Sequence, residues 1–198
     1  MEKAVEQLKE MLEKSRVAAF LGGAGVSTES GIPDFRSAGS AEAARKRFGY
    51  TPEVLLSHDF FLQETETFYA YYKSILMMEA QPNPAHYALA RLEARGKLNA
   101  VVTQNIDNLH QMAGSKRVYT LHGNVEWNRC MACNKLFDGD YIRHSQGVPH
   151  CDACGAVVKP EVVLYGEPLS DIVWRGAMAA ISSADLLIVG GTSLAVYP

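Results

Sequence analysis

Several things are scarce in this sequence. No apolar run in its 198 residues approaches the roughly 20 needed to cross a bilayer, and the N-terminus lacks the apolar core of a signal peptide. The expectation is a cytoplasmic protein that does not enter a membrane. Basic residues are not in excess: 19 Lys and Arg stand against 22 Asp and Glu, for a net charge of -3. That leaves no basic stripe for nucleic acid. Internal repeats and low-complexity tracts are missing too. No cysteine stands outside two C-x-x-C pairs, so there is no scattered disulfide framework. The length allows a sizeable core, between a single domain and a domain with one insert.

The cysteines that are present form the strongest context-free motif. Cys130 and Cys133 are separated from Cys151 and Cys154 by the seventeen residues 134 to 150, inside the C-x₂-C-x₁₅₋₂₀-C-x₂-C window for tetrahedral zinc. Four thiolates leave no open coordination position, so the ion is structural. His144 or His150 as a replacement ligand is the lesser alternative. A redox reading is weaker still, because it expects one pair at a helix N-terminus.

Taken in order, Glu2 to Ser15 carries Val5, Leu8, Met11 and Leu12 on one helical stripe and reads as a surface helix packed on a sheet. Arg16 to Leu21 is a buried strand that runs into Gly22, Gly23 and Gly25, then into Ser27 to Ser30, which look like helix-start residues. Gly31, Ile32 and Pro33 break that helix and present Asp34, Phe35 and Arg36 on a loop. Ser37 to Ser40 reads as a mobile loop and Ala41 to Phe48 as a helix. From Thr51 to Ala80 the period is helical and rich in rings, among them Phe60, Phe61, Phe68, Tyr69, Tyr71 and Tyr72. These pack a helical insert or, less simply, line a channel.

Gln81 to Pro84 reads as a breaker, followed by a helix from His86 to Ala94 closed by Gly96. Strands follow at Leu98 to Val102 and Val118 to Leu121, with a short helix at Leu109 to Ala113 between them. Val162 to Tyr165 returns to strand character, Ile172 to Ser183 is a helix, and Leu186 to Val189 is a last strand before Gly190, Gly191, Thr192 and Ser193.

The glycine turn alone is weak evidence. It reads G-x-G-x-x-T from Gly23 to Thr28, and no acidic residue closes a second strand about twenty residues on, which disfavours a plain dehydrogenase. Yet three polar clusters each follow a buried strand: Gly22 to Thr28, Gln104 to Asp107, and His122. A parallel sheet gathers all three at one edge, where ligands sit. His122 is the natural general base. Asn105 and Asp107 share a face if extended, or merely cap the next helix, while His110 reads as packing or capping.

These pieces resemble the sirtuins, the family of NAD-dependent protein lysine deacylases. The resemblance runs through GAGVSTESGIPDFR at 23–36, TQNIDNLH at 103–110, LHGNVE at 121–126, the four cysteines, KPEVVLYGE at 159–167 and GTSLAVYP at 191–198. It implies an α/β fold: a Rossmann-like parallel sheet with helices on both faces, from residues 1–125 and 160–198, with a helical insert at about 37–90 and a four-cysteine zinc module at 126–159. NAD is consumed. The acyl oxygen attacks C1′ of the nicotinamide ribose, nicotinamide leaves, and His122 deprotonates a ribose hydroxyl so that lysine and O-acyl-ADP-ribose form.

By motif position Ala24, Thr28, Arg36, Gln104, Thr192 and Ser193 contact the dinucleotide, with Gly23, Gly25, Asp34 and Gly191 in the same cofactor-binding motifs. Phe35, Ile106 and Asp107 form the nicotinamide pocket, and Asn105, counted with His122 as catalytic, holds the ribose or a water. Val162 and Val163 pair with the peptide backbone, and Tyr165 flanks the acyl-lysine tunnel with His122. The implied partners are acyl-lysine proteins, met by a monomer, without nucleic acid or membrane. A mono-ADP-ribosyltransferase and an inactive zinc-bearing binding module are the alternatives.

Four departures from the family pattern stand out. Gly22 replaces a threonine. Ser37 to Ala44 replaces the usual cofactor-loop segment. Tyr69 is followed by Tyr72, where the branch that removes acidic acyl groups has Tyr-x-x-Arg, so neutral acyl groups are expected. The sequence stops at Pro198, just past Gly-Thr-Ser, where relatives continue, so weak NAD binding is expected of this chain.

Overall fold

A computed structural model describes residues 2–34 and 38–195. Phe35, Arg36 and Ser37, named above for the cofactor loop, lie outside the described residues, as do Met1 and 196–198.

Strands β1 (Ala18–Gly22), β2 (Leu98–Thr103), β3 (Val118–Thr120) and β7 (Leu186–Gly190) form one sheet in the order β3-β2-β1-β7, parallel throughout. Its inner strands are runs of small and branched apolar residues, as strands covered on both faces must be. Ala18, Ala19, Ala100 and Val101 are fully buried. Helix α6 (Pro84–Ala94) covers one face through Leu89 and Leu92, which pack with Phe20 and Val101. Helix α9 (Asp171–Ser182) covers the other through Val173, Ala177 and Ile181 against Val102 and Leu121. This is the expected sheet with helices on both faces.

Helix α1 (Glu2–Lys14) differs from expectation. Val5, Leu8 and Met11 remain exposed and only Leu12 packs against the sheet cluster. The helix is held at its C-terminal end, where Lys97 Nζ donates to the Ser15 carbonyl at 2.8 Å.

Between β1 and α6 lie helices α2 (Ala38–Phe48), α3 (Pro52–Leu55), α4 (His58–Gln63) and α5 (Thr65–Tyr71), the last continued by a π-turn at Tyr72–Leu76. Helix α2 begins at 38, three residues before the predicted start. The Asn83-Pro84 pair, expected to break structure, instead starts α6. The Asn83 side chain accepts from the Ala85 amide, the His86 ring accepts from the Asn83 amide, and Pro84 occupies the first turn where no N–H is needed.

The remaining strands β4 (Gly123–Cys130), β5 (Leu136–Phe137) and β6 (Val158–Val162) form a small antiparallel sheet in the order β5-β4-β6, with α8 (Gly139–His144) beside it. The predicted strand at Val162 to Tyr165 therefore ends earlier and pairs with β4, not with the parallel sheet. Cysteine module and helical insert share one core: Phe61, Phe68, Tyr69 and Tyr72 pack in the same cluster as Val125, Cys130, Ile142, Cys151 and Val158. The Tyr69 hydroxyl donates to the Val158 carbonyl across the seam. The ring stripe of the insert is thus packing, and none of Phe60, Phe61, Phe68, Tyr69, Tyr71 or Tyr72 lines the cavity at the carboxyl end of the parallel sheet. We call this half the small lobe and the parallel sheet with its helices the sheet lobe. Helix α6, at the end of the expected 37–90 insert, packs on the sheet lobe.

Candidate active site

The carboxyl ends of β1, β2, β3 and β7 are stitched to one another. The Gly23 amide donates to Gly190 O, Gln104 N to Gly22 O, and Leu121 N to Thr103 O, at 2.9 to 3.2 Å. A cavity of about 220 Å³ opens there, between the strand ends and the small lobe. Ala24, Asp34, Gln104, Asn105, Ile106, Asp107, His122, Val162, Val163 and Tyr165 all line it, so most of the candidate residues, drawn from separate sequence regions, meet in one place.

The glycine turn closes this end of the sheet by contact between loops. A Cβ on Gly23 would sit 2.8 Å from Thr192 Cβ, and one on Gly25 2.8 Å from Gly191 Cα. Gly191 itself has φ 64°. The Gly25 amide donates to Gly191 O at 2.9 Å. These glycines are required by the packing of the turn on 191–192. Gly22, the departure from the family's threonine, is filled by its neighbour: a Cβ there would stand 2.6 Å from the Phe20 ring. After the turn come two short 3₁₀ segments, Ala24–Val26 and Thr28–Ser30, closed by Gly31 at φ 86°, in place of the expected helix start. Thr28 is exposed and its hydroxyl donates to Gly25 O at 3.0 Å, so it does not line the cavity. Thr192 donates to Gln104 Oε1 at 3.0 Å and orients that side chain, while Ser193 is exposed beside it.

Ser27, fully buried, was not singled out from the sequence, yet it ties the floor together. Its hydroxyl donates to Asp107 Oδ2 at 2.6 Å and accepts from Asn105 Nδ2 at 3.0 Å. Asn105 and Asp107 do share a face, as their spacing predicts. Asp107 Oδ1 also accepts from the Leu109 amide at 3.0 Å, so the capping alternative holds as well, at the start of α7 (Leu109–Met112). The signal for Ser27 was a small hydroxyl one turn beyond the glycines, which capping explained equally well.

His122 stands just past β3. Its Nδ1 lies 2.8 Å from the Gln104 carbonyl oxygen. A carbonyl only accepts, so Nδ1 carries the proton and Nε2 is the basic nitrogen of the neutral ring. Val163 N donates to His122 O at 2.9 Å and fixes the neighbouring wall to the same residue. His110 is packing, as expected. It is buried against Phe20 and His86, with ring centroids 4.7 Å from His86, and burial, aided by His86, lowers its pKa to about 3.

Away from this cavity the four cysteine sulfurs lie within 4.8 Å of one another. The Cys130–Cys154 and Cys133–Cys151 separations are 3.4 and 3.6 Å. Zn–S bonds of about 2.3 Å in a tetrahedron require edges of about 3.8 Å, so the donor set fits one zinc ion with little adjustment. The amides of Cys133 and Ala132 point at the Cys130 sulfur and bring its pKa down to about 6, favouring the ligating thiolate. His150 turns its Nδ1 to Gly155 O and His144 its own to Asp140 O, so neither ring is directed to the sulfurs through that nitrogen.

Residues 23–198 match the Sir2 family. The chain is 55% identical over 199 residues to an NAD-dependent protein deacetylase of Clostridium perfringens, covering all of this chain and 82% of that protein. Among solved structures it resembles "Sir2-p53 peptide-NAD+", with a TM-score of 0.85 and 43% identity over 98% of this chain and 78% of the other. It also resembles a Sir2 complex with the inhibitor EX-527, 2'-O-acetyl-ADP-ribose and deacetylated p53-peptide, with a TM-score of 0.84 and 41% identity over 98% and 77%.

Proposed function

The chain belongs to the Sir2 family, and on that premise we propose that it is an NAD-dependent protein lysine deacetylase, moving the acyl group of an acyl-lysine to ADP-ribose with release of nicotinamide. When bound, NAD would supply an electrophilic ribose carbon for the acyl oxygen, with nicotinamide as the leaving group and one water consumed in forming free lysine and O-acyl-ADP-ribose. Ala24, Gln104 and the 191–193 loop, with Gly23, Gly25, Asp34 and Arg36, hold the dinucleotide, while Ile106, Asp107 and Phe35 hold its nicotinamide end; Thr28, bonded to Gly25 O outside the cavity, supports the turn. His122 is the general base. Because the Gln104 carbonyl occupies Nδ1–H, Nε2 keeps the lone pair that accepts a proton from a ribose hydroxyl. Asn105, whose amide N–H₂ is engaged by Ser27, offers Oδ1 to a hydroxyl or a water. Val162, Val163 and Tyr165 receive the acyl-lysine and its backbone. No positively charged side chain lines the cavity among the described residues, which supports a neutral acyl group.

The zinc ion has no part in the chemistry, since the cysteines hold it closed in the small lobe. Residues 1–125 with 160–198 form the cofactor-bearing unit and 126–159 the metal module. The protein works as a monomer in the cytoplasm on acyl-lysine proteins, and no described helix is long and apolar enough to cross a membrane.

The observation that carries the reading is the His122–Gln104 bond at the joint carboxyl edge of parallel strands. The test is a nicotinamide-release assay on an acetyl-lysine peptide with mass spectrometry of the products. The parent forms O-acetyl-ADP-ribose, and His122→Ala loses about 10²–10⁴ of the rate. Equal activity of the two proteins would refute the assignment of the base. Modified protein without O-acetyl-ADP-ribose would instead make the chain an ADP-ribosyltransferase.

A further inference from the structure

The wall of the cavity opposite the strand ends is the loop from Val163 to Glu167, and it is a suspended structure. One end hangs from His122 through the Val163 amide. The middle is bridged to the small lobe, Tyr165 N donating to Leu56 O and His58 N to Tyr165 O, each at 2.9 Å. The far end turns back, and the Glu167 side chain does the turning. Its Oε2 accepts from the Leu164 amide at 2.9 Å, Oε1 meets His58 Nδ1 at 2.8 Å, and Lys159 Nζ approaches at 3.1 Å. Burial alone would raise the pKa of Glu167. The Leu164 amide, His58 and Lys159 outweigh it and hold the carboxyl below the usual carboxylate range. One carboxylate thus joins β6 through Lys159, α4 through His58, and the loop's own backbone through Leu164.

Resting on the deacetylase reading above, we propose that Glu167, braced by His58 and Lys159, is a positioning residue for the acyl-lysine. It keeps the 163–167 wall in one conformation before the peptide arrives, so the peptide does not bear the cost of ordering it. It acts through Leu164 and Tyr165, and not on the reacting atoms. In the sequence Glu167 only closes the KPEVVLYGE motif, and His58 reads only as one residue of a helical stretch.

The experiment compares the full chain with Glu167→Ala, Glu167→Gln, His58→Ala and the Glu167→Ala/His58→Ala double variant. Acetyl-lysine peptide and NAD are varied separately, and peptide binding is read by fluorescence anisotropy without NAD. Losing a charge-assisted bond raises the peptide KM and Kd of Glu167→Ala about tenfold, with KM for NAD within about twofold of the parent. Glu167→Gln keeps an acceptor for the Leu164 amide and loses only about threefold. His58→Ala also loses about threefold and adds nothing in the double variant, as expected for two groups acting as one unit. Unchanged peptide KM and Kd with lower thermal stability and lower kcat would overturn the proposal, as would an equal rise in KM for NAD. If the parent consumes no NAD, the deacetylase reading fails while the anisotropy still decides the role of Glu167.

Discussion

The two lobes reach rigidity by different routes. The sheet lobe relies on backbone: a parallel ladder of alanine and valine, with loops packed so closely that Gly23, Gly25 and Gly191 leave no room for a Cβ between them. The small lobe relies on side chains and a metal site. Phe61 and Phe68 meet edge to face at 4.9 Å, Phe68 and Tyr72 stack at 5.5 Å, and two of the four cysteines are buried in that same cluster. A lobe with one short antiparallel sheet and helices of about one to three turns lacks the ladder to stand alone, so rings and thiolates substitute for it. The candidate site lies where the two strategies meet, with His122 just past the end of β3 and the 163–167 loop hung from both lobes.

The sharpest way to break this comparison is to remove the metal. Chelation, or Cys130→Ser, withdraws stabilisation on the order of 10 kcal/mol as judged from structural zinc sites. The small lobe should melt and bind a hydrophobic dye while β1 and β2 amides keep most of their hydrogen-exchange protection. Protection lost equally in both lobes would show that they do not differ as argued. The converse test is Gly25→Ala, whose new Cβ would collide with Gly191. A cost of about 2–4 kcal/mol is expected, confined by hydrogen exchange to the sheet lobe, with zinc content unchanged.

Acid sharpens the contrast further. His110 has a folded pKa of about 3, lowered by burial, and its unfolded value is near 6.5. The unfolded chain therefore binds the extra proton as pH falls, so stability declines between about pH 6.5 and 3 by up to about 1.4 kcal/mol per unit from this residue. Denaturant midpoints of His110→Leu should fall less steeply over that range than those of the parent. The smallest effect belongs to Tyr72→Phe. The Tyr72 hydroxyl is buried without a hydrogen-bond partner among the described residues, so its removal should leave stability unchanged or raise it by up to about 1 kcal/mol in thermal melts.

The parts of this molecule that were legible in sequence are those where one local pattern has one meaning. β1 and β7 are continuous apolar runs and β2 is interrupted only by Asn99 before Thr103, and the polar clusters at the strand ends had to come together once the sheet was parallel. The cysteine spacing left little choice. Illegible parts had two meanings. Asn83-Pro84 breaks a helix or begins one, and only the His86 ring folding back onto the Asn83 amide decides it. The stretch from Val162 to Tyr165 looks like one strand but is shared: Val162 ends the pairing of β6 with β4, and Tyr165 bridges Ser57. The apolar stripe of α1 predicts burial that the structure gives only to Leu12, because nothing in a stripe says what will face it.

The seam between Tyr69 and Val158 joins residues 89 positions apart in the chain. During synthesis at about 5–20 residues per second, the rings of α5 emerge some 4–18 s before the strand that covers them, roughly. For that interval Phe61, Phe68, Tyr69 and Tyr72 form a sticky, half-built surface on a growing chain. Delay at the ribosome, scarcity of chaperones or a shortage of zinc should therefore all be felt first at the same place, as aggregation of nascent protein.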